Sequence, residues 1–280
     1  MFVRPTALLA LAMFSPEPAV ETKCVQVAPR ISSGLRRSDG VSRAVVLLHG
    51  LRPHPISDTN VWEPGLSGWE EPFSPLVKAL AADSDVFSLG YAQNVSVDDV
   101  ARARGLARHV ADLRAAGYVE VVLVGYSAGA LVARYYVENT GGGGVTKVIQ
   151  VCPPNGGSGW TRLATGVRKS QEAFIRSLSK ESRQAVMQAR ADLTIPDHVE
   201  FVCVVGSFGR GGDGLVRHDC QWPADLQRQG IPVVPLSVGH VTAMWSRPVA
   251  QAIVQLVRSS QPRWTAAQVA AARMRILRAK

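Results

Sequence analysis

The sequence lacks several features that would place the protein in a specialised class. Its 280 residues contain no internal repeat, no low-complexity tract and only one short apolar segment outside the predicted core, the eight residues Ala7–Phe14. Because a transmembrane helix needs about 20 apolar residues in a row, a protein with several membrane spans is excluded. A hydrophobic content of 46% also excludes an intrinsically disordered chain. The composition instead predicts one large globular domain.

Common phosphate-binding and zinc-binding motifs are also missing. The chain has no G-x-x-x-x-G-K-[ST] loop, no pair of C-x-x-C motifs and no H-E-x-x-H motif, and no acidic cluster that requires calcium. We therefore expect no metal and no cofactor. The four cysteines permit three disulfide pairings if the protein is exported. One of them, Cys203, lies within the apolar run Val199–Val205, which is typical of a buried free thiol.

Residues 1–23 allow two interpretations. Arg4 precedes the apolar segment Ala7–Phe14, and small residues with two prolines follow towards Ala19, which is the outline of a secretory signal peptide. The alternative is a disordered or loosely docked N-terminus of a cytoplasmic protein. The cysteine content does not choose between the two locations, so an exported and a cytoplasmic protein both stay open.

The net charge of +9 is distributed unevenly along the chain. No acidic residue follows Asp225, whereas the last 55 residues carry eight positive charges, on Arg228, Arg247, Arg258, Arg263, Arg273, Arg275, Arg278 and Lys280. Since the rest of the chain is close to neutral, we expect no nucleic-acid partner. The segment 261–280 is predicted as a basic helix, which is either a solvated face or a peripheral contact to an anionic membrane.

Apolar runs alternate with amphipathic helical segments over residues 24–260. The runs predict strands at Ala44–Gly50, Asp85–Tyr91, Glu120–Gly125, Thr146–Cys152, His198–Val205 and Pro232–Val238, and the longest predicted helix is Asp98–Ala116. This alternation predicts an α/β fold with a mainly parallel, doubly wound sheet. The helical stretch at about 158–195 interrupts the pattern, and we interpret it as a lid, with a peripheral insertion as the alternative.

The segment Gly125-Tyr126-Ser127-Ala128-Gly129 lies between a predicted strand and a predicted helix. At a tight strand-to-helix turn, the chain passes close to itself two residues before and after the central residue, so only small side chains fit there. A serine held in such a turn is a candidate nucleophile, and the Ala128 N–H faces the same space. The alternative is a tightly packed turn that the glycines make possible and in which Ser127 has no catalytic role.

A serine hydroxyl needs a general base to become a nucleophile at neutral pH. Of the six histidines, His240 directly follows the last predicted strand, where a side chain reaches the carboxyl edge of a parallel sheet. His198 opens a strand and therefore lies at the opposite edge. His240 is the predicted base, and His218 is the alternative.

Together these residues resemble the α/β-hydrolase superfamily, more narrowly its bacterial lipase and esterase branch, over roughly Ala44–Val257. Three further motifs support the resemblance: His49-Gly50-Leu51 is similar to the family's oxyanion loop, 154–158 (PNGGS) to a segment of the lipases, and 212–216 (GDGLV) to the family's acid loop. The chain departs from many lipases before and after the serine, where Tyr126 replaces histidine and Ala128 replaces methionine.

The resemblance implies the α/β-hydrolase fold and a catalytic triad in the chain order serine, acid, histidine. Ser127, Asp213 and His240 match that order, with Asp219 as the alternative acid. It also implies an oxyanion hole made by the backbone N–H of Ala128 and that of Leu51 or its neighbour.

The expected reaction is hydrolysis of a carboxylic ester through an acyl-enzyme. A small-molecule or lipid ester is the expected substrate, because apolar residues flank the predicted site, namely Trp62, Leu66 and Trp69. The same triad serves thioesterases, acyltransferases and amidases, which remain alternatives. A non-catalytic binding protein on the same scaffold is the alternative from another class.

Overall fold

The computed structural model describes residues 20–31, 34–52, 68–162, 169–209 and 211–278. These residues form one seven-stranded sheet with the order β1-β3-β2-β4-β5-β6-β7. The strands are β1 Thr22–Ala28, β2 Arg43–Leu48, β3 Asp85–Tyr91, β4 Glu120–Tyr126, β5 Lys147–Val151, β6 Glu200–Gly206 and β7 Val233–Leu236. Strand β1 is antiparallel to β3, and every other neighbouring pair is parallel. The predicted doubly wound α/β sheet is confirmed.

Helices cover both faces of this sheet. They are α1 Pro75–Leu80, α2 Val97–Arg102, α3 Arg104–Ala115, α4 Ala128–Thr140, α5 Glu172–Ser177, α6 Lys180–Ala189, α7 His218–Gln221, α8 Ala224–Arg228, α9 Arg247–Arg258 and α10 Ala266–Arg278. Helices α1 and α9 bury apolar side chains in the core of one face, and α2, α3, α4, α5, α8 and α10 do so on the other. The apolar runs of the central strands read as continuous because both of their faces are buried.

The edge strand β1 is not predicted by the sequence analysis. It begins at Thr22, inside the segment 1–23, and pairs Thr22 with Tyr91. Only one face of an antiparallel edge strand packs on the core, so its sequence carries no continuous apolar run. Residues 1–19 lie outside the described residues, and the two interpretations of that segment stay open.

The insertion between β5 and β6 contains α5 and α6, both packed on the body of the protein. Phe174 of α5 is fully buried, and Arg183 of α6, also fully buried, forms an ion pair with Asp98 of α2. The Ser177 hydroxyl accepts a hydrogen bond from Val97 N at 3.0 Å. The lid over 158–195 therefore remains a prediction, and α6 could leave α2 only if a buried ion pair broke.

The basic C-terminal segment contains α10. Its residues Ala272 and Ile276 are buried in the core, whereas Arg273 and Arg275 are exposed. Just before the helix, Trp264 N donates to the carbonyl oxygen of Gly230 at 2.7 Å. One face of the helix is thus anchored and the other is basic, and contact of that face with a membrane stays a prediction. Within the described ranges, no helix has the length and apolarity needed to cross a bilayer.

All four cysteines are free thiols. Cys203 lies fully buried in β6, as expected, and its thiol donates to Gln150 Oε1 at 3.3 Å.

Candidate active site

The candidate site lies at the carboxyl edge of the sheet. Ser127 directly follows β4, Asp213 lies in the loop after β6, and His240 comes four residues after β7. Because the carboxyl ends of parallel strands meet at one edge, residues that are far apart in sequence come together there. This edge is where open α/β sheets bind ligands.

A continuous chain of hydrogen bonds joins the three side chains. The Ser127 hydroxyl lies 2.9 Å from His240 Nε2, and His240 Nδ1 lies 2.7 Å from Asp213 Oδ2. All three residues are buried, with at most 7% of their surface exposed. In this arrangement Nε2 can accept the serine proton while the carboxylate holds the Nδ1 proton, the geometry of a serine nucleophile with its base and orienting acid.

Ser127 adopts a strained backbone conformation at the turn between β4 and α4. Its φ of 52° and ψ of −119° lie in a region that costs a non-glycine residue about 1–3 kcal/mol. The neighbouring glycines allow the turn: a Cβ atom on Gly125 would lie 2.5 Å from the carbonyl oxygen of Gly129, and one on Gly129 would collide with the carbonyl oxygen of Leu48. The predicted close approach of strand and helix is therefore confirmed at Gly125, whereas at Gly129 the close neighbour is the end of β2.

The loop after β6 holds Asp213 in place. Its Oδ1 accepts hydrogen bonds from Leu215 N at 3.0 Å and Val216 N at 2.7 Å, which leaves Oδ2 for His240. Its carbonyl oxygen also accepts a hydrogen bond from His240 N at 2.7 Å. Two of these four hydrogen bonds join the acid to the histidine, and the other two hold the carboxylate in its loop.

The alternative acid and base lie elsewhere. Asp219 is half exposed and pairs with Arg217 at 3.0 Å on the surface. His218 begins α7 and is buried, and this burial lowers the pKa of its imidazole below the ordinary value. Ser127 is therefore hydrogen-bonded to His240 and not to His218, and His240 is hydrogen-bonded to Asp213 and not to Asp219.

Replacing Asp213 with asparagine is expected to lower kcat about 10,000-fold, because the amide favours the wrong imidazole tautomer while leaving the geometry intact. Asp219→Asn is the matched control: it removes an exposed ion pair, so we expect an unchanged kcat and a change in the free energy of unfolding below about 1 kcal/mol. Steady-state kinetics on a chromogenic ester measure both. A large loss of kcat in Asp219→Asn, with Asp213→Asn nearly intact, would reverse the assignment.

The two predicted oxyanion donors flank the same position. Ala128 is the first residue of α4, where a helical N–H has no acceptor within the helix. On the other side, Gly50 abuts the serine, since a Cβ atom on Gly50 would lie 2.8 Å from Ser127 Cβ. Leu51 follows Gly50 and is half-buried. The loop that carries Leu51 is thus adjacent to Ser127, and the role of both N–H groups is part of the proposal below.

Two residues at the site were not identified by the sequence analysis as contacting the triad. The Tyr126 hydroxyl donates to the carbonyl oxygen of His240 at 2.6 Å, and its ring centroid lies 5.4 Å from the imidazole. Cys152 directly follows β5 and has a positive φ of 49°. Burial, and next the charge of Asp213, raise the pKa of the Cys152 thiol well above its ordinary value, so the thiol stays neutral. The sequence feature that could have identified Cys152 is its position directly after a predicted central strand.

One group of three possible metal ligands occurs in the part of the chain that the structure describes. Potential ligand atoms of Cys152, Asp213 and His240 lie within 4.8 Å of one another. Asp213 and His240 are already hydrogen-bonded to each other, and the thiol is neutral. Because metal ligation requires deprotonated donors that are free to bind, the arrangement fits an acid–base pair better than a metal centre.

An apolar cavity of about 180 Å³ opens beside the site. Its lining includes the apolar side chains of Trp69, Phe73, Met244 and Trp245 and the charged residues Glu71 and Arg247. Trp69 packs edge-on against Tyr126, with ring centroids 6.4 Å apart, which connects the cavity to the tyrosine that contacts His240. Of the three apolar residues predicted to flank the site, Trp69 is here, while Trp62 and Leu66 lie outside the described residues.

Comparison of the sequence with protein-family models and with curated proteins finds no match. Solved structures are similar. Mature lipase BlEst2 from Bacillus licheniformis has a TM-score of 0.61 at 12% identity, over 84% of this chain and 98% of the lipase. Phospholipase PlaB from Legionella pneumophila has a TM-score of 0.59 at 14% identity, over 85% of this chain and 63% of PlaB. The metagenomic carboxyl esterase MGS0156 has a TM-score of 0.52 at 15% identity, over 86% of this chain and 77% of the esterase. This chain has the α/β-hydrolase fold, as the resemblance implied.

Proposed function

We propose that the protein is a serine hydrolase that cleaves carboxylic esters through an acyl-enzyme intermediate. The observation that carries this proposal is the hydrogen-bonded chain from Ser127 through His240 to Asp213, which begins at a strained strand-to-helix turn. A buried serine whose hydroxyl is bonded to an oriented imidazole has the geometry of an activated nucleophile.

In the proposed mechanism, Ser127 Oγ attacks the ester carbonyl while His240 Nε2 takes the serine proton. Asp213 keeps the Nδ1 proton in place and stabilises the imidazolium. The backbone N–H groups of Ala128 and Leu51 stabilise the oxyanion, and one such donor contributes about 3 kcal/mol. His240 then protonates the leaving alcohol, and in the second half it takes a proton from water, which hydrolyses the acyl-enzyme and regenerates Ser127.

The apolar cavity supports an acyl group as the part of the substrate that the protein binds. Trp69, Met244 and Trp245 offer apolar contact area that an acyl chain can cover, and Glu71 and Arg247 lie on the same wall. The similar structures are named as a lipase, a phospholipase and a carboxyl esterase, which favours an ester over a thioester or an amide. A small-molecule or lipid ester is therefore the proposed substrate.

A fluorophosphonate probe tests the proposal on the purified full chain. We expect the folded protein to be labelled, with the label on the peptide that contains Ser127, because only an activated serine displaces fluoride at a useful rate. A panel of esters of increasing acyl length, with one thioester and one amide of equal length, then defines the class, and we expect the ester to be cleaved fastest. A folded protein that takes up no label, with or without detergent, would favour the non-catalytic binding protein.

A further inference from the structure

We propose that Gln93, two residues after β3, is a positioning residue that sets the orientation of the Leu51 oxyanion donor, and that Gln171 of the insertion supports the same loop. The inference rests on the proposed function. The sequence analysis did not identify either glutamine, because neither belongs to a catalytic motif or contacts the triad.

The Gln93 side chain forms two hydrogen bonds to the loop after β2. Its Nε2 donates to the carbonyl oxygen of Gly50 at 2.9 Å, and its Oε1 accepts from Arg52 N at 3.0 Å. The side chain is buried, with 1% of the residue exposed. One amide therefore holds the backbone on both sides of Leu51.

This pair of bonds, together with the contact of His49 Nδ1 to the same Gly50 oxygen at 2.8 Å, determines which way the Leu51 N–H faces. The Gly50 carbonyl and the Leu51 N–H belong to one planar trans peptide unit, so the two groups point in opposite directions. With the carbonyl turned to Gln93, the N–H faces away from it. If this peptide flipped, a carbonyl oxygen would replace the donor and would repel a developing oxyanion instead of stabilising it.

Other contacts hold the same loop, and one of them is made to the Gly50 carbonyl itself. The Tyr91 hydroxyl donates to the His49 carbonyl oxygen, and His49 Nδ1 lies 2.8 Å from the Gly50 oxygen. The Arg52 guanidinium pairs with the fully buried carboxylate of Glu70 at 2.6 Å. The loop is therefore anchored to β3 and to the segment before α1, as a preorganised oxyanion site requires.

Gln171 connects the same loop to the insertion. Its Nε2 donates to the Arg52 carbonyl oxygen at 2.9 Å and lies 3.5 Å from Gln93 Oε1. The residue is buried, and it directly precedes α5, which packs on the body of the protein. The insertion therefore contributes to the position of the oxyanion loop through one side chain.

The test compares Gln93→Met with Gln26→Met. The side-chain amide of Gln26 in β1 also forms two hydrogen bonds to the backbone, one to the carbonyl oxygen of Arg36 at 2.8 Å and one from Arg36 N at 2.9 Å. Strand β1 is the edge strand of the sheet at the end away from β7. For Gln93→Met we expect kcat per labelled active site to fall about 100-fold, KM to change less than threefold, and binding of a trifluoromethyl ketone analogue to weaken in parallel. Gln26→Met should lose stability and keep kcat.

A second variant separates orientation from folding. In Gln93→Glu the introduced carboxyl keeps the shape of the amide: its neutral form donates to Gly50 O, and its ionised form repels that oxygen. The kcat of this variant, divided by that of the wild type, should therefore fall as pH rises through the pKa of the new carboxyl. For Gln171→Met we expect about a tenfold lower kcat with KM unchanged. The loss is smaller than for Gln93→Met because Gln171 bonds to the Arg52 carbonyl oxygen, which does not belong to the peptide unit of the Leu51 N–H.

The outcomes distinguish this inference from the proposed function. A wild-type protein that neither labels nor hydrolyses esters would remove the proposed function itself. The positioning role alone would be overturned if the wild type hydrolyses esters and the kcat per labelled site of Gln93→Met is within twofold of the wild-type value. It would also be overturned if Gln26→Met loses as much kcat as Gln93→Met. A pH-independent ratio for Gln93→Glu would overturn it as well.

Discussion

Ser127→Ala is expected to lower kcat for ester hydrolysis about a million-fold, the loss typical of removing the nucleophile from a serine triad. The substitution deletes the one oxygen that lies 2.9 Å from His240 Nε2, so no covalent intermediate can form at this site. Residual catalysis would come only from substrate binding and the oxyanion donors. Alanine meets the same backbone strain at φ of 52°, so we expect the protein to fold as before.

Ser177→Ala provides the matched control for this prediction. Ser127 and Ser177 are equally buried, at 7% exposed, and the Ser177 hydroxyl bonds only to backbone atoms of Phe174 and Val97. Its loss should cost roughly 1 kcal/mol of unfolding free energy and leave kcat unchanged. Initial rates on a chromogenic ester and thermal melts measure both effects. Near wild-type hydrolysis by purified Ser127→Ala would place the nucleophile elsewhere.

His240→Gln is expected to lower kcat by a similar factor, about a million-fold. The serine and the histidine act together, so the loss of either one alone removes nearly all of the catalysis that the pair provides. Glutamine retains polar atoms near Ser127 but cannot take a proton at neutral pH. The bond to Asp213 at 2.7 Å would also lose its role, since no imidazolium forms that the carboxylate can stabilise.

His218→Gln is the comparison variant, because His218 was the alternative base in the sequence. Its imidazole is buried at the start of α7, and burial lowers its pKa, so it carries no charge in the folded protein at neutral pH. We expect some loss of stability and a kcat within a few-fold of the wild type. If kcat/KM instead collapses in His218→Gln and survives in His240→Gln, the base belongs to the loop after β6.

Much of the fold follows from local sequence patterns. The strand Asp85–Tyr91 has the same bounds in prediction and structure, and all seven of its residues are buried although Asp85 and Ser88 are polar. The turn at Ser127 is local in part: Gly125 must be small because the start of α4 lies against it, whereas Gly129 must be small because the end of β2 lies against it. The order of strand, serine and helix could therefore be predicted from thirteen consecutive residues, Val121–Ala133.

Other elements could not be predicted because distant residues determine them. The predicted helix Asp98–Ala116 is in fact α2 and α3, separated at Ala103, whose ψ of 147° is extended. Gly105 lies directly after the break and packs against Thr22 so closely that a Cβ atom would collide with the threonine side chain. The break thus accompanies an edge strand that the sequence analysis did not predict.

The sequence by itself determined the alternating α/β architecture, the strained turn and the nucleophile candidate, because periodicity and steric fit act over a few neighbouring residues. Only the tertiary structure shows that His240, and not His218, is hydrogen-bonded to Ser127, and that Asp213, and not Asp219, is hydrogen-bonded to His240. These contacts join residues that are 113 and 27 positions apart in the chain, so no local pattern specifies them. The amide of Gln93 belongs to the same class: its two bonds to the loop around Leu51 exist only because β2 and β3 are neighbours in the sheet.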